Sequence, residues 1–245
     1  MVQRRLTLLF TVSMLLAAMS GFSQTNPSAD TIARQARFFS VSDKILMTAL
    51  LTIESGNDSR ERNLELALLR TATEEKMLVR ITAPAFLREM KILLISSRTR
   101  NDTWIKTSQG IRRLAGSSRG EALFQSDFLT SDFRIPEGNW QFSTNIQRPG
   151  SIILQRPGGS GDDYSLERLY LRESDRLVEQ REFLDREGKV TRTYIVSSWT
   201  SDSEGIRPDR IELTKPANSN RSYLQFNSDS IKKEFSENIF TPGSL

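Results

Sequence analysis

The sequence has no histidine and no cysteine in 245 residues. The first absence removes the commonest general base and metal ligand, together with every Ser-His or Cys-His device. The second removes thiol nucleophiles, disulfides and tetrahedral zinc sites. Large charge excess of either sign is also missing, since 34 Lys and Arg stand against 30 Asp and Glu. A nucleic-acid binder would show a clustered basic face, so nucleic acid is excluded as a partner. Hydrophobic residues at 37% and charged residues at 26% are those of an ordinary globular chain.

The one long apolar run lies at the start. Arg4 and Arg5 precede the stretch from Leu6 to Met19, and Gly21 and Ser23 follow at signal-peptidase spacing. A spanning helix needs about 20 apolar residues, so this run is short. Residues 1–23 therefore read as a cleaved signal peptide, with Gln24 as the mature N-terminus. The alternative is an uncleaved N-terminal anchor. Without Arg4 and Arg5 the formal charge falls from +4 to +2. The expected address is the periplasm, with residues 24–245 forming a single domain.

Beyond the leader, Asn26-Pro27-Ser28 reads as a helix start with Ser28 as N-cap. Ile32, Ala36 and Phe39 share one helical face, which predicts an amphipathic helix over 28–39. The period then changes to two. Alternation marks strands at 44–53, 60–72, 76–81, 90–97 and 102–106, and again from Trp140 to Asn227. Short strands at near-regular spacing, about ten or eleven, predict one mainly β, antiparallel, curled or barrel-like sheet. Several strands are apolar on both faces: Leu46 and Leu50 oppose Ile45, Met47 and Leu51, and Leu93 and Ile95 oppose Ile92 and Leu94. A sheet with one solvated face alternates more cleanly. Something must cover the second face, either the N-terminal helix or a ligand in a cavity.

Motifs with chemistry are few. Gly116-Ser117-Ser118-Arg119-Gly120 matches G-x-S-x-G, but that device needs a histidine and an α/β sheet, so it reads as a glycine-rich loop. Ser230-Ile231-Lys232-Lys233 spells S-x-x-K without context. Asp162-Asp163 and the pair Asp127 and Asp132 lack the dense oxygen pattern of a calcium loop and read as turn and ion-pair residues. No metal site, no cofactor and no enzymatic activity are expected.

One block is more specific. Trp104-Ile105-Lys106-Thr107, Ile111-Arg112-Arg113-Leu114, Phe124-Gln125-Ser126-Asp127-Phe128 and Asp132 resemble a block of the LolA-like outer-membrane lipoprotein-sorting family. That family reads W-x-Y-x-P, a basic R-R-I, and G-S-D-F followed by an acid. Here Ile105 replaces the tyrosine and Gln125 the glycine. Ile81-Thr82-Ala83-Pro84, Leu184 to Lys189 and Asn238 to Leu245 are similar to later and earlier parts of the same family.

The resemblance implies an incomplete, strongly curved antiparallel barrel whose open side is covered by the N-terminal helix and short helices. It implies a carrier that shelters an acyl chain, a lipid or a lipoprotein anchor, with an inner-membrane transporter as a candidate partner. The alternative is a periplasmic sensor or accessory subunit that binds a protein partner with the same fold. Cavity candidates are Leu64, Leu66 and Leu68 on one strand face, Trp140 and Phe142 on another, Trp104, and Phe38 and Phe39 on the lid helix. Arg112, Arg113, Ser126, Asp127, Phe128 and Asp132 are expected to be structural. Asp127 or Asp132 is expected to pair with Arg112, Arg113 or Arg119.

Overall fold

The computed structural model describes residues 27–97, 99–114, 121–159, 161–217, 220–232 and 234–245. The leader, the G-x-S-x-G segment with Arg119, and Lys233 lie outside these residues. Between 228 and 232 only the backbone is described.

Ser28 caps α1 (Ala29–Gln35), the one α-helix among the described residues, by accepting from the Thr31 N–H at 3.2 Å. Asp30 in the first turn and Arg34 in the last suit the helix dipole. The helix buries Ala29, Ile32 and Ala33 and stops at Ala36, where the backbone turns extended. This is four residues earlier than the apolar spacing predicts. Phe38 and Phe39 therefore belong to an extended segment, because Arg37 bridges to Leu177 and draws the chain off the helical path.

Among the described residues fourteen strands follow, more than the ten or eleven expected. They are β1 (Ser40–Val41), β2 (Lys44–Ser55), β3 (Asp58–Arg70), β4 (Glu74–Ala83), β5 (Lys91–Ser97), β6 (Asn101–Thr107), β7 (Gly110–Leu114), β8 (Gln141–Phe142), β9 (Ser151–Pro157), β10 (Leu166–Arg172), β11 (Val178–Leu184), β12 (Val190–Asp202), β13 (Gly205–Lys215) and β14 (Asn220–Lys232). The surplus includes β1 and β7, neither of which the alternation marks. All pair antiparallel in one sheet of order β7-β6-β5-β4-β3-β2-β14-β13-β12-β11-β10-β9-β8, with β1 added beside β13. The two ends, β7 and β8, do not pair, so the sheet is an incomplete curved barrel, as expected. Gly205, at φ +121, turns between β12 and β13, and a Cβ there would overlap the Ser40 carbonyl in β1.

Period-two register assigns the faces. Leu64, Leu66 and Leu68 of β3 lie level with Ala49, Met47 and Ile45 of β2 on the concave face. The concave core continues through Leu224, Ile211, Leu213, Tyr194, Leu169 and Leu154. It is covered by α1, by Phe38 and Phe39, and by the segment that joins β7 to β8, with its 3₁₀ turns at Leu123–Gln125 and Thr130–Phe133.

The second apolar face has a different cover from the one expected. Ala67, Leu69, Leu78, Leu93 and Ile95 form a separate cluster on the convex side, under Phe240 and Leu245 of the C-terminal tail. Phe235 meets Phe240 edge-on at 5.9 Å, Lys44 lies 5.0 Å from the Phe235 ring, and Lys106 Nζ donates to the Leu245 carbonyl at 2.8 Å. Burying one such phenyl ring stabilises by about 1.5–3 kcal/mol. The tail answers the two-faced strands on this side. Neither the N-terminal helix nor a ligand is needed there.

Candidate functional site

The concave face divides into an apolar half and an ionic half. In the apolar half, Phe38 packs on Phe133 at 6.2 Å and edge-on to Tyr194 at 5.7 Å. Phe128 meets Phe133 at 5.9 Å and Tyr194 at 6.4 Å, and Phe39 meets Phe226 at 5.7 Å. These rings form a plug between α1 and the sheet. The Tyr194 hydroxyl is buried without a hydrogen-bond partner, and burial raises its pKa above the ordinary range.

The ionic half is built from charged residues in phase with that apolar face. Glu167 alternates with Leu169 on β10, Arg181 with Phe183 on β11, and Arg192 with Tyr194 on β12. The register sets Arg156 opposite Glu167, Glu167 opposite Phe183, and Phe183 opposite Arg192. Glu167 accepts from Arg156 Nε at 2.8 Å, from Tyr164 OH at 3.2 Å, and from Arg181 Nε and Nη2 at 2.9 and 2.6 Å. Its four lone-pair sites are filled. Arg181 Nη1 also donates to the Asp132 carbonyl at 2.6 Å. Arg192 Nη2 lies 3.1 Å from Asp132 Oδ1 and its guanidinium lies 4.0 Å from the Phe183 ring. Burial pushes the Asp132 carboxyl up, more than Arg192 and Arg181 pull it down.

Two cavities open on this side. One, about 420 Å³, is lined by Arg134, Arg156, Arg181, Arg192, Tyr164 and Phe183 among others. The other, about 690 Å³, lies between α1 and the β5–β6 turn and is lined by Arg34, Phe38, Phe133 and Trp140 among others. Both are bounded by the strap from Arg134 to Glu137. The strap is tied down at each end. Arg134 Nη2 donates to the Ile95 carbonyl at 3.2 Å and to the Asp102 carbonyl. Trp140 Nε1 donates to the Pro136 carbonyl at 2.7 Å, and the Trp140 N–H donates to Asp30 Oδ1 on α1 at 2.9 Å. Trp140 also lies 5.6 Å below the Arg156 guanidinium.

Of the cavity candidates, Phe38, Phe39, Leu64, Leu66, Leu68 and Trp140 meet in the concave core. Phe142 does not: it is 48% exposed on the edge strand β8, which begins only after Trp140, so the two residues do not share one strand face. Trp104 does not either, since its place on β6 is on the convex side against the C-terminal cluster.

The motif residues have other partners than those expected. Asp127 accepts from Ser222 Oγ at 3.0 Å and pairs with Lys215 at 3.1 Å, while its own N–H donates to Ser222 Oγ at 3.0 Å. Asp132 Oδ2 accepts from the Leu129 N–H at 2.7 Å. Ser126 Oγ donates to the Leu123 carbonyl at 2.6 Å and accepts from the Phe128 N–H at 3.2 Å. These bonds fold the segment inward, towards β12–β14. Arg112 and Arg113 stay on the exposed edge strand β7 and pair with Glu121 and Asp102 instead.

The ionic half was not singled out from the sequence. Its signal was available, as a charge in phase with the buried face on consecutive strands. Among the described residues no group of His, Cys, Asp and Glu could hold a metal ion, and no helix is long and apolar enough to cross a membrane.

Residues 73–245 match the sequence model of a family described as "Uncharacterized protein". No curated protein matches the chain. Among solved structures, a DUF1329 family protein from Desulfovibrio piger is similar, with a TM-score of 0.72 and 16% identity over 89% of this chain and 97% of that one. A domain from Vibrio parahaemolyticus, whose name connects it to outer membrane lipoprotein sorting, gives a TM-score of 0.73 and 16% identity over 88% and 97%. A LolA superfamily protein from Nitrosomonas europaea gives 0.62 and 20% identity over 90% and 100%. At these identities the likeness is one of fold.

Proposed function

We propose, for a chain that belongs to the family matched over residues 73–245 and carries the fold of the LolA superfamily, a carrier role in the periplasm. Its cargo is an acyl chain, a lipid or a lipoprotein anchor, and it performs no chemistry on that cargo. The observation that carries this reading is the cover of the concave face. An apolar wall drawn from nearly every strand of the sheet is closed by one short helix, two 3₁₀ turns and a strap, with a cavity on each side of the strap. A chain leaving a membrane loses about 0.8 kcal/mol per exposed CH₂. Displacing the Phe38–Phe133–Phe128 plug would uncover an apolar wall able to replace that burial. The short leader with Arg4 and Arg5 supports export, with Gln24 as the mature N-terminus.

An environment-sensitive fatty-acid probe tests the role. Saturable binding that palmitate displaces is the expected result. The same signal from a heat-unfolded sample, or no saturation, would overturn it. N-terminal sequencing of the exported protein that begins at Met1 would overturn the export reading.

A further inference from the structure

We infer that the cavity beside the strap holds the phosphodiester headgroup of an amphiphile, with Arg134 as its principal anchor. This assignment rests on the carrier reading and names the polar end of the cargo.

Four guanidiniums line the cavity, and their existing partners can be allocated. Arg156 and Arg181 are held by Glu167, which has no lone pair to spare. Arg192 is paired with Asp132. Arg156 also lies 3.7 Å from Asp162, whose carboxylate accepts from the Gly159 N–H. Arg134 differs from the other three. Its only hydrogen bonds among the described residues run from Nη2 to two backbone carbonyls, and its Nε is buried with no partner. Nearby Asp102 attracts it through space but is not bonded to it, because that carboxylate binds the side chains of Arg100 and Arg113. Glu137 and Asp163, which also line the cavity, are exposed at its rim, where solvent screens them.

A cation tied to carbonyls through Nη2 alone, with no carboxylate bonded to it, is incomplete until an oxyanion arrives. Nη1, which makes no hydrogen bond among the described residues, is the nitrogen left to donate to such an oxyanion. The cavity volume of about 420 Å³ admits a headgroup. Arg134 also lines the neighbouring cavity, whose wall includes Phe38 and Phe133 of the aromatic plug. A ligand with its phosphate at Arg134 would therefore direct its chains into the apolar half. The polar and apolar halves of the concave face match the two ends of one amphiphile.

The test uses the full chain, titration calorimetry and three probes: dihexanoylphosphatidylglycerol, dihexanoylglycerol and inorganic phosphate. The expected result is binding of the phospholipid about tenfold tighter than the uncharged lipid at low salt. That preference should shrink as salt is raised. Arg134→Gln should bring the ratio towards one, and Arg134→Lys, which keeps the charge but loses the carbonyl ties that position it, should leave an intermediate ratio. Near-UV circular dichroism matching the parent confirms that each variant is folded. Equal binding of the two lipids by the parent protein overturns the headgroup site while the carrier reading stands, and so does a full tenfold ratio in Arg134→Gln. Phosphate alone binding as tightly as the phospholipid overturns the amphiphile and leaves a site for the free ion. No binding of either lipid overturns both readings.

Discussion

Replacing Glu167 by Gln removes the one carboxylate that holds Arg156 and Arg181 together inside the barrel. Glu167 and Arg181 are buried almost completely, with side-chain exposures of 0% and 2%. The substitution keeps the shape and deletes the charge. Gln can still offer its oxygen to one guanidinium, but its amide then presents N–H groups to the other, donor against donor. The attraction lost is on the order of 4 kcal/mol per pair at an effective dielectric of 20 and a separation of 4 Å. Part of it is offset by the easier desolvation of a neutral side chain. Breaking a buried pair from one side costs about 3–5 kcal/mol. With a urea m-value of about 2 kcal/mol/M, the unfolding midpoint should fall by about 1.5–2.5 M. Tryptophan fluorescence follows it directly, since Trp140 stacks near Arg156. The companion variant Arg156→Met/Glu167→Leu/Arg181→Met removes the whole triad and should lie within about 2 kcal/mol of the parent, or above it. A midpoint shift below about 0.5 M for Glu167→Gln would refute the reasoning, as would a triple variant weaker than the single one.

Gln125 has φ +64 and an exposed side chain, so Gln125→Gly should stabilise the fold by about 0.5–1 kcal/mol, read as a higher urea midpoint. Phe240→Ala should cost about 3 kcal/mol and increase binding of a hydrophobic dye, because it uncovers Leu69, Leu78 and Leu93 on the convex face; an unchanged midpoint would show that the tail covers nothing. Burial pushes Asp102 up, but the Arg113 and Arg100 guanidiniums outweigh it and hold the folded-state pKa below the ordinary value of 3.8. Its contribution is thus present above about pH 4 and is lost as pH falls through the lowered value. Asp102→Asn should therefore lower the urea midpoint at pH 7 and narrow the difference between pH 7 and pH 3, whereas an equal difference in both proteins would contradict it.

Much of the sheet was legible because its alternation is written residue by residue: Ile45, Met47 and Ala49 on β2 and Leu64, Leu66 and Leu68 on β3 face inward as their spacing requires. Ser28 marked the helix start for the same local reason. The helix end was not legible, since what stops it is a bridge from Arg37 to Leu177, far along the chain. Phe142 was misplaced because the strand there is only Gln141–Phe142, which leaves Trp140 outside it, and a pair of residues has no period to read. The pairing of Asp127 and Asp132 was assigned to arginines near in sequence, while their partners Lys215 and Arg192 come from strands 60 or more residues away. The convex cover was missed because a tail of eleven residues with only two 3₁₀ turns has no period to read.

The order of the strands also sets the order of assembly. Strands β2 to β7 form one meander and β8 to β14 another, and each can close hairpin by hairpin from neighbouring sequence. The seam that joins them is β2 against β14, where Ile53 meets Ser222 and Leu51 meets Leu224. That pairing spans nearly the whole chain, so loop closure makes it the slowest step. A chain emerging N-terminus first, from a ribosome or through a membrane pore, holds β2 with an open edge until the last strand appears. The first meander must wait with one side unpaired, and that waiting interval is when a strand from a second copy could take β14's place.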